Sequence, residues 1–136
     1  VVGKIGKGFL ILLGVGPEDT EAVCDKLAEK ICNLRVFEDE NGKMNLNLEQ
    51  VGGELLVVSQ FTLLANYKHG NRPDYLGAAK PETANALYEH FVSLLSKTVG
   101  RVEKGVFGAD MKVSLLNDGP VTLILDTDQL MDTPRR

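Results

Sequence analysis

Apolar and polar positions divide the chain into short blocks with different periods. Gly8-Phe-Leu-Ile-Leu-Leu-Gly-Val15 is a continuous apolar run between glycines and predicts a buried strand. Pro17-Glu-Asp-Thr20 then supplies cap-type residues, and Val23, Leu27, Ile31 and Leu34 recur at helical spacing, so a helix is expected over about residues 20–33. Leu34-Arg-Val-Phe37 is strand-like, and Asn41-Gly42 and Gly52-Gly53 signal turns. Glu54 to Thr62 reads as a second buried strand with a polar end. Asn66 to Lys80 is a polar loop of functional length. Pro81 suits a first helical turn, and Ala84, Leu87, Tyr88, Phe91, Leu94 and Leu95 predict a second helix ending near Lys97–Gly100. Met111, Val113 and Leu115, then Val121, Leu123 and Leu125, alternate with polar neighbours around Asn117-Asp-Gly-Pro120 and predict two half-buried strands joined by a turn.

The order β-α-β-β-α-β-β with tight turns points to a single α/β domain over residues 1–125 with a mixed or antiparallel sheet and two main helices, followed by a polar tail at 126–136. A chain of 136 residues buries enough surface to need no staple. Cys24 and Cys32 fall about 12 Å apart along one helix, beyond disulfide reach, and read as free thiols. No apolar run is long enough to cross a bilayer, and a cytoplasmic protein with no membrane partner is expected.

A net charge of −4 argues against a broad phosphate coat, so no DNA partner is expected. The local cations Lys68, Arg72 and Lys80 suffice for a few phosphate contacts at one end of a nucleic acid. Neither a Gly-rich phosphate loop nor a metal-spaced His/Cys cluster is present, and no cofactor or metal is expected. His90, beside Glu89, reads as a surface residue, and His69 as a solvated loop residue or a phosphate contact. No spacing supports a triad of Ser59, His69 and Asp74. Two polar segments remain. Ser59-Gln-Phe-Thr62 brings backbone N–H groups and hydroxyls to a strand end, where they read either as a polar terminus or as an oxyanion site. Asn117-Asp-Gly-Pro-Val-Thr122 reads as a hairpin turn.

Together these segments resemble the D-aminoacyl-tRNA deacylases. Ser59-Gln-Phe-Thr62 is similar to that family's Ser-Gln-x-Thr motif, and Asn117 to Thr122 to its Asn-x-Gly-Pro-x-Thr motif. Leu34–Phe37, Gly42–Asn45, Asn71–Pro73 and Phe107–Met111 fall in the family's order. The family's opening strand with its Gln-Arg-Val motif is not in this sequence. The resemblance implies a β-barrel-like domain that pairs as a two-fold homodimer and hydrolyses the ester between a D-amino acid, or glycine mischarged on tRNA-Ala, and the 3′ end of tRNA, a proofreading step in translation. It implies catalytic roles for Ser59, Gln60, Phe61 and Thr62, with backbone N–H groups near Phe61 and Thr62 as oxyanion donors. It implies a chirality filter at a cis Gly119–Pro120 bond reaching the partner subunit's site. Phe107, Met111, Asn117 and Thr122 become contacts to substrate or adenosine, although ordinary core packing also accounts for Phe107 and Met111. The rival readings are a catalytically inactive tRNA- or protein-binding module of the same fold, and a hydrolase of another small ester.

Overall fold

The computed structural model describes residues 1–131; the end of the 126–136 tail lies outside the described residues. Strand β1 (Gly8–Leu13) runs parallel to β4 (Glu54–Ser59), and β4 runs parallel to β5 (Val102–Lys104), in the order β1-β4-β5. The short strands β2 (Phe37–Glu38) and β3 (Met44–Leu46) form a separate antiparallel pair across the Asn41-Gly42 turn, where Gly42 takes a positive φ of 75°.

Helix α1 (Glu21–Asn33) starts where Thr20 Oγ1 accepts the Val23 N–H at 3.3 Å. Helix α2 (Pro81–Ser96) opens on the proline that sequence suggested, because its missing N–H costs nothing in the first turn. Each helix is the crossover between two parallel strands, α1 from β1 toward β4 and α2 from β4 to β5. Of the mixed or antiparallel sheet expected, the fold is the mixed kind: the main sheet is parallel and the β2–β3 pair antiparallel. The turns suggested hairpins, but the strands that form the core are separated by helices, and parallel strands need such crossovers.

Leu55 and Val57 of β4 and Leu13 of β1 join Cys24, Ala28 and Ile31 of α1 and Leu87, Tyr88, Phe91 and Leu95 of α2 in one core. The opposite sheet face carries Leu10, Leu12, Leu56 and Val58 and is less covered, with Leu12 43% exposed. Continuous apolar runs in β1 and β4 supply both faces, as buried parallel strands require.

The strands expected at Met111–Leu115 and Val121–Leu125 do not form. Residues 112–124 are exposed and enter no ladder. No closed barrel arises among the described residues: the sheet stays open at its β1 and β5 edges, and the arm pairs with neither. The first residues of the tail are ordered. Asp126 caps a 3-10 turn at Thr127–Gln129 by accepting the Asp128 N–H, and the turn packs against α1.

Tyr88 is fully buried, and its hydroxyl lies 3.0 Å from the Val57 carbonyl and 2.8 Å from that of Gly105. Burial, reinforced by the charge of Glu89, pushes its pKa up to about 12, so it stays a donor. Val57 O also accepts the Gly105 N–H at 2.9 Å, whereas among the described residues no backbone bond to Gly105 O is found outside the regular ladders. Tyr88→Phe is expected to cost about 1–3 kcal/mol, read as a lower urea midpoint at unchanged m. An unaltered midpoint would show that the hydroxyl contributes nothing net.

Candidate functional site

The C-terminal ends of the three parallel strands converge on one edge. There β4 delivers Ser59, and the Gln60 N–H is still held by Leu13 O of β1 at 2.8 Å. The chain then tightens into a 3-10 turn, Phe61–Leu64, instead of continuing as the strand expected to Thr62. Gly14 permits this turn: a Cβ there would stand 3.2 Å from Leu63 Cβ and 3.5 Å from Gln60 O. Sequence reading assigned Gly14 only to the strand; a small residue just past a strand end was the available signal.

Within the turn, Leu63 N–H bonds Gln60 O and Ala65 N–H bonds Thr62 O, both at 3.2 Å. The N–H groups of Phe61 and Thr62 lie before the first such bond and donate to no described group. Gln60 Nε2 donates to Thr62 Oγ1 at 2.9 Å, which fixes both side chains. No basic group is bonded to that hydroxyl. Phe61 stands edge-on to Tyr75, with centroids 4.8 Å apart, and stays 55% exposed.

Past β5, Gly105 brings the chain beside β4. Met111 Sδ would lie 2.6 Å from any Cβ at Gly105, so the thioether occupies the space that glycine leaves. Phe107 is half-buried, 6.1 Å from the Tyr88 ring centroid. Phe107 and Met111 thus leave the same end of the sheet as Ser59–Thr62, the end where open parallel sheets bind ligands.

The second motif stands apart. Asn117 Nδ2 donates to Thr122 Oγ1 at 2.8 Å, and Asn117 Oδ1 accepts the Val121 N–H at 3.1 Å. This closes a loop whose Gly119–Pro120 peptide is cis and whose Gly119 φ is +131°. All of its residues are exposed, and no hydrogen bond or ring contact among the described residues ties it to Ser59–Thr62. One chain therefore brings the first motif, Phe107 and Met111 to the same end of the sheet, and no hydrogen bond or ring contact among the described residues joins Gly119 and Pro120 to the first motif. Two surface cavities, of about 410 and 480 Å³, include no residue of Ser59–Thr62; the larger touches Phe107 and the smaller opens at the far end of the strands, around Cys32 and Glu54.

Cys24, Asp74 and His90 are engaged elsewhere. Cys24 is buried, its thiol directed at Leu87 O, and burial, followed by the charges of Asp25, Asp19 and Glu21, pushes its pKa up to about 12. Burial also raises Cys32. Asp74 Oδ1 accepts the Leu76 N–H and bonds no histidine, so the Ser59–His69–Asp74 arrangement does not form. His90, expected at the surface, is partly exposed and ion-paired. Its ring, 28% exposed, meets Asp25 at 2.9 Å and Glu21 at 3.9 Å and clamps α2 to α1. Asp39 is half-buried, and N–H donors led by Lys43 hold its carboxyl below the usual range, bracing the β2–β3 turn.

Residues 1–126 match the family described as D-Tyr-tRNA(Tyr) deacylase. A D-aminoacyl-tRNA deacylase from Sulfurihydrogenibium sp. (strain YO3AOP1) is 60% identical over 130 residues, which are 96% of this chain and 88% of that protein. Another from Desulfatibacillum aliphaticivorans is 57% identical over 126 residues, 93% of this chain and 86% of that protein. Among solved structures, one described as c-Myc DNA Unwinding Element Binding Protein superposes with a TM-score of 0.84 at 43% identity, covering 90% of this chain and 83% of that one. A structure of a probable eukaryotic D-amino acid tRNA deacylase superposes with a TM-score of 0.70 at 16% identity, over 78% of this chain and 77% of that one, a likeness of fold alone.

Proposed function

The chain belongs to the D-Tyr-tRNA(Tyr) deacylase family and hydrolyses the ester bond of D-aminoacyl-tRNA; from that premise we propose how its residues divide the work. Water adds to the ester carbonyl, the bond from the carbonyl carbon to the ribose oxygen breaks, and that oxygen takes a proton. The neighbouring ribose hydroxyl of the terminal adenosine helps to activate the water. The protein positions the ester and stabilises the oxyanion.

The observation that carries this assignment is the pair of unpartnered N–H groups on Phe61 and Thr62 at the end of β4. They are the oxyanion donors. Ser59 and Gln60 hold the ribose side, with Gln60 also fixing Thr62. Phe107 and Met111 pack against the adenine. Asn117 and Thr122 brace the Gly119–Pro120 loop through their mutual hydrogen bond, and the loop turns L substrates away while admitting D-aminoacyl and glycyl esters, including glycine mischarged on tRNA-Ala.

A second copy completes the site. The arm at 112–124 exposes Leu116 at 90%, Ile124 at 94%, Leu115 at 61% and Leu123 at 53%. A monomer rarely leaves so contiguous an apolar stretch in water. Its alternating pattern suits a strand whose neighbour lies in another chain. A two-fold homodimer covers the arm and carries Gly119–Pro120 to the partner's site. Among the described residues no helix is long and apolar enough to cross a membrane; the cytoplasm, where charged tRNA is used, is the proposed compartment.

Deacylation of matched D- and L-aminoacyl-tRNA tests the function. Turnover of the D ester alone is expected; no turnover of either leaves a binding module. Thr62 has only the Gln60 amide beside it, and a threonine nucleophile needs a base. Thr62→Ala is therefore expected to keep measurable turnover with no acyl-enzyme. Mass-spectrometric capture of an aminoacyl ester on Thr62 would reverse its role.

A further inference from the structure

The loop that follows the 3-10 turn is pinned at its base and loaded at its tip. Asn66 and Asp74 exchange two backbone hydrogen bonds of 2.8 Å, closing residues 67–73 into a projection. Asn66 Oδ1 also accepts the Lys68 N–H at 3.0 Å, which sets the direction of the chain as it leaves that bridge. The Phe61–Tyr75 contact joins the projection to the candidate oxyanion turn, and Ala79 N–H bonds Val15 O at 2.8 Å beyond β1. The loop is therefore continuous with the proposed site and held beside it.

Its tip has an unusual surface for this protein. The tip carries Lys68 and Arg72, Lys80 follows beyond the Asn66–Asp74 bridge, and the segment from Phe61 to Lys80 has a single carboxylate, Asp74, in a chain with 19 Asp and Glu against 15 Lys and Arg. These three cations enter no ion pair among the described residues, whereas Arg101 and Lys104 do. Tyr67 beside them is 76% exposed and makes no ring contact among the described residues, leaving its faces open. Exposed aromatic faces interleaved with free cations are what single-stranded nucleic acid uses, stacking its bases and pairing its phosphates. Such a cluster complements a polyanion in an otherwise acidic protein.

We infer that this loop is the platform for the single-stranded nucleotides just 5′ of the terminal adenosine, with Tyr67 stacking a base and Lys68 and Arg72 holding phosphates. The assignment rests on the tRNA-ester reading above and extends it from the terminal adenosine to the strand that carries it. The platform is read by binding, separately from hydrolysis. A four-nucleotide single-stranded RNA ending in adenosine is titrated by fluorescence anisotropy against the full-length protein. Tyr67→Ala is expected to weaken binding roughly tenfold or more, and Tyr67→Phe, which keeps the ring, to stay within about twofold of wild type. Arg72→Gln should weaken binding and flatten the slope of log K against log salt by about 0.7. Binding by Tyr67→Ala equal to wild type, or Tyr67→Phe as weak as Tyr67→Ala, overturns the platform. So does a tail-less RNA hairpin that binds as tightly as a tailed one. Hydrolysis of D-aminoacyl-tRNA is followed in parallel. Ring-dependent RNA binding without hydrolysis removes the deacylase reading and keeps the platform, whereas hydrolysis with ring-independent binding removes the platform alone.

Discussion

Replacing Leu116 and Ile124 together by Asp is expected to yield a folded monomer that deacylates D-aminoacyl-tRNA on the order of 100-fold more slowly. Both side chains stand outside the core, 90% and 94% exposed, so neither substitution removes packing from its own chain. The fold should survive, as read by circular dichroism and thermal melting. In the proposed homodimer what is lost is the apolar surface that a second copy would cover, and carboxylates brought into that interface would repel where the leucine and isoleucine attract. The kinetic effect follows from the division of the site. Ser59–Thr62 stays intact in each chain, but Gly119–Pro120 has no bond to it within that chain. If the partner's loop completes the site as proposed, its loss leaves the ester held at one end only, and misplacement of about 1 Å costs rates of that size. Sedimentation and single-turnover deacylation on one preparation decide the matter. A monomer with wild-type rates would mean that the site is complete in one chain.

The same division explains what the sequence could and could not disclose. Both helices were legible because their apolar faces, the Thr20 cap and Pro81 are local signals, and α1 and α2 form within a few residues of the expected bounds. Strands β1 and β4 were legible as apolar runs, but pairing direction is set by what lies between strands, and the turn signals drew attention from the crossover helices. Met111 to Leu115 and Val121 to Leu125 alternate as strand sequences do. Alternation reports that one face is to be covered, not which chain covers it, so these segments were expected within a sheet that one chain does not build. At the site, the polar end of β4 was visible in Ser59-Gln60-Phe61-Thr62, whereas the 3-10 turn that frees two N–H groups depends on Gly14 and on the Phe61–Tyr75 contact, both distant in sequence. The ion pairs of His90 were illegible for the same reason, since its partners Asp25 and Glu21 lie on the other helix.

Gly119→Ala is expected to leave the chain folded and paired but to narrow the preference for D over L esters by roughly tenfold or more. Gly119 holds φ at +131°, a conformation that residues with a side chain rarely adopt. A Cβ there would stand 2.8 Å from Val121 Cγ2 and 3.1 Å from Val121 N. The loop is tied across its neck by the two bonds of Asn117, so it cannot relieve the added carbon by opening freely. Strain of about 1–3 kcal/mol is instead released by shifting the Gly119–Pro120 backbone. If that backbone occupies the space an L side chain would need, the shift opens that space, because rejection by clash fails as soon as the obstacle moves. The D ester places its side chain elsewhere and loses little, and glycine, with no side chain to exclude, is hydrolysed before and after the change. The ratio of kcat/KM for D- and L-aminoacyl-tRNA is the quantity to measure, with glycyl-tRNA as a reference. Asp118→Ala, next in the loop, alters neither the φ of Gly119 nor the Asn117 bonds and should keep the ratio. A folded, dimeric Gly119→Ala protein that still rejects the L ester as strongly as wild type would place the filter somewhere other than this loop.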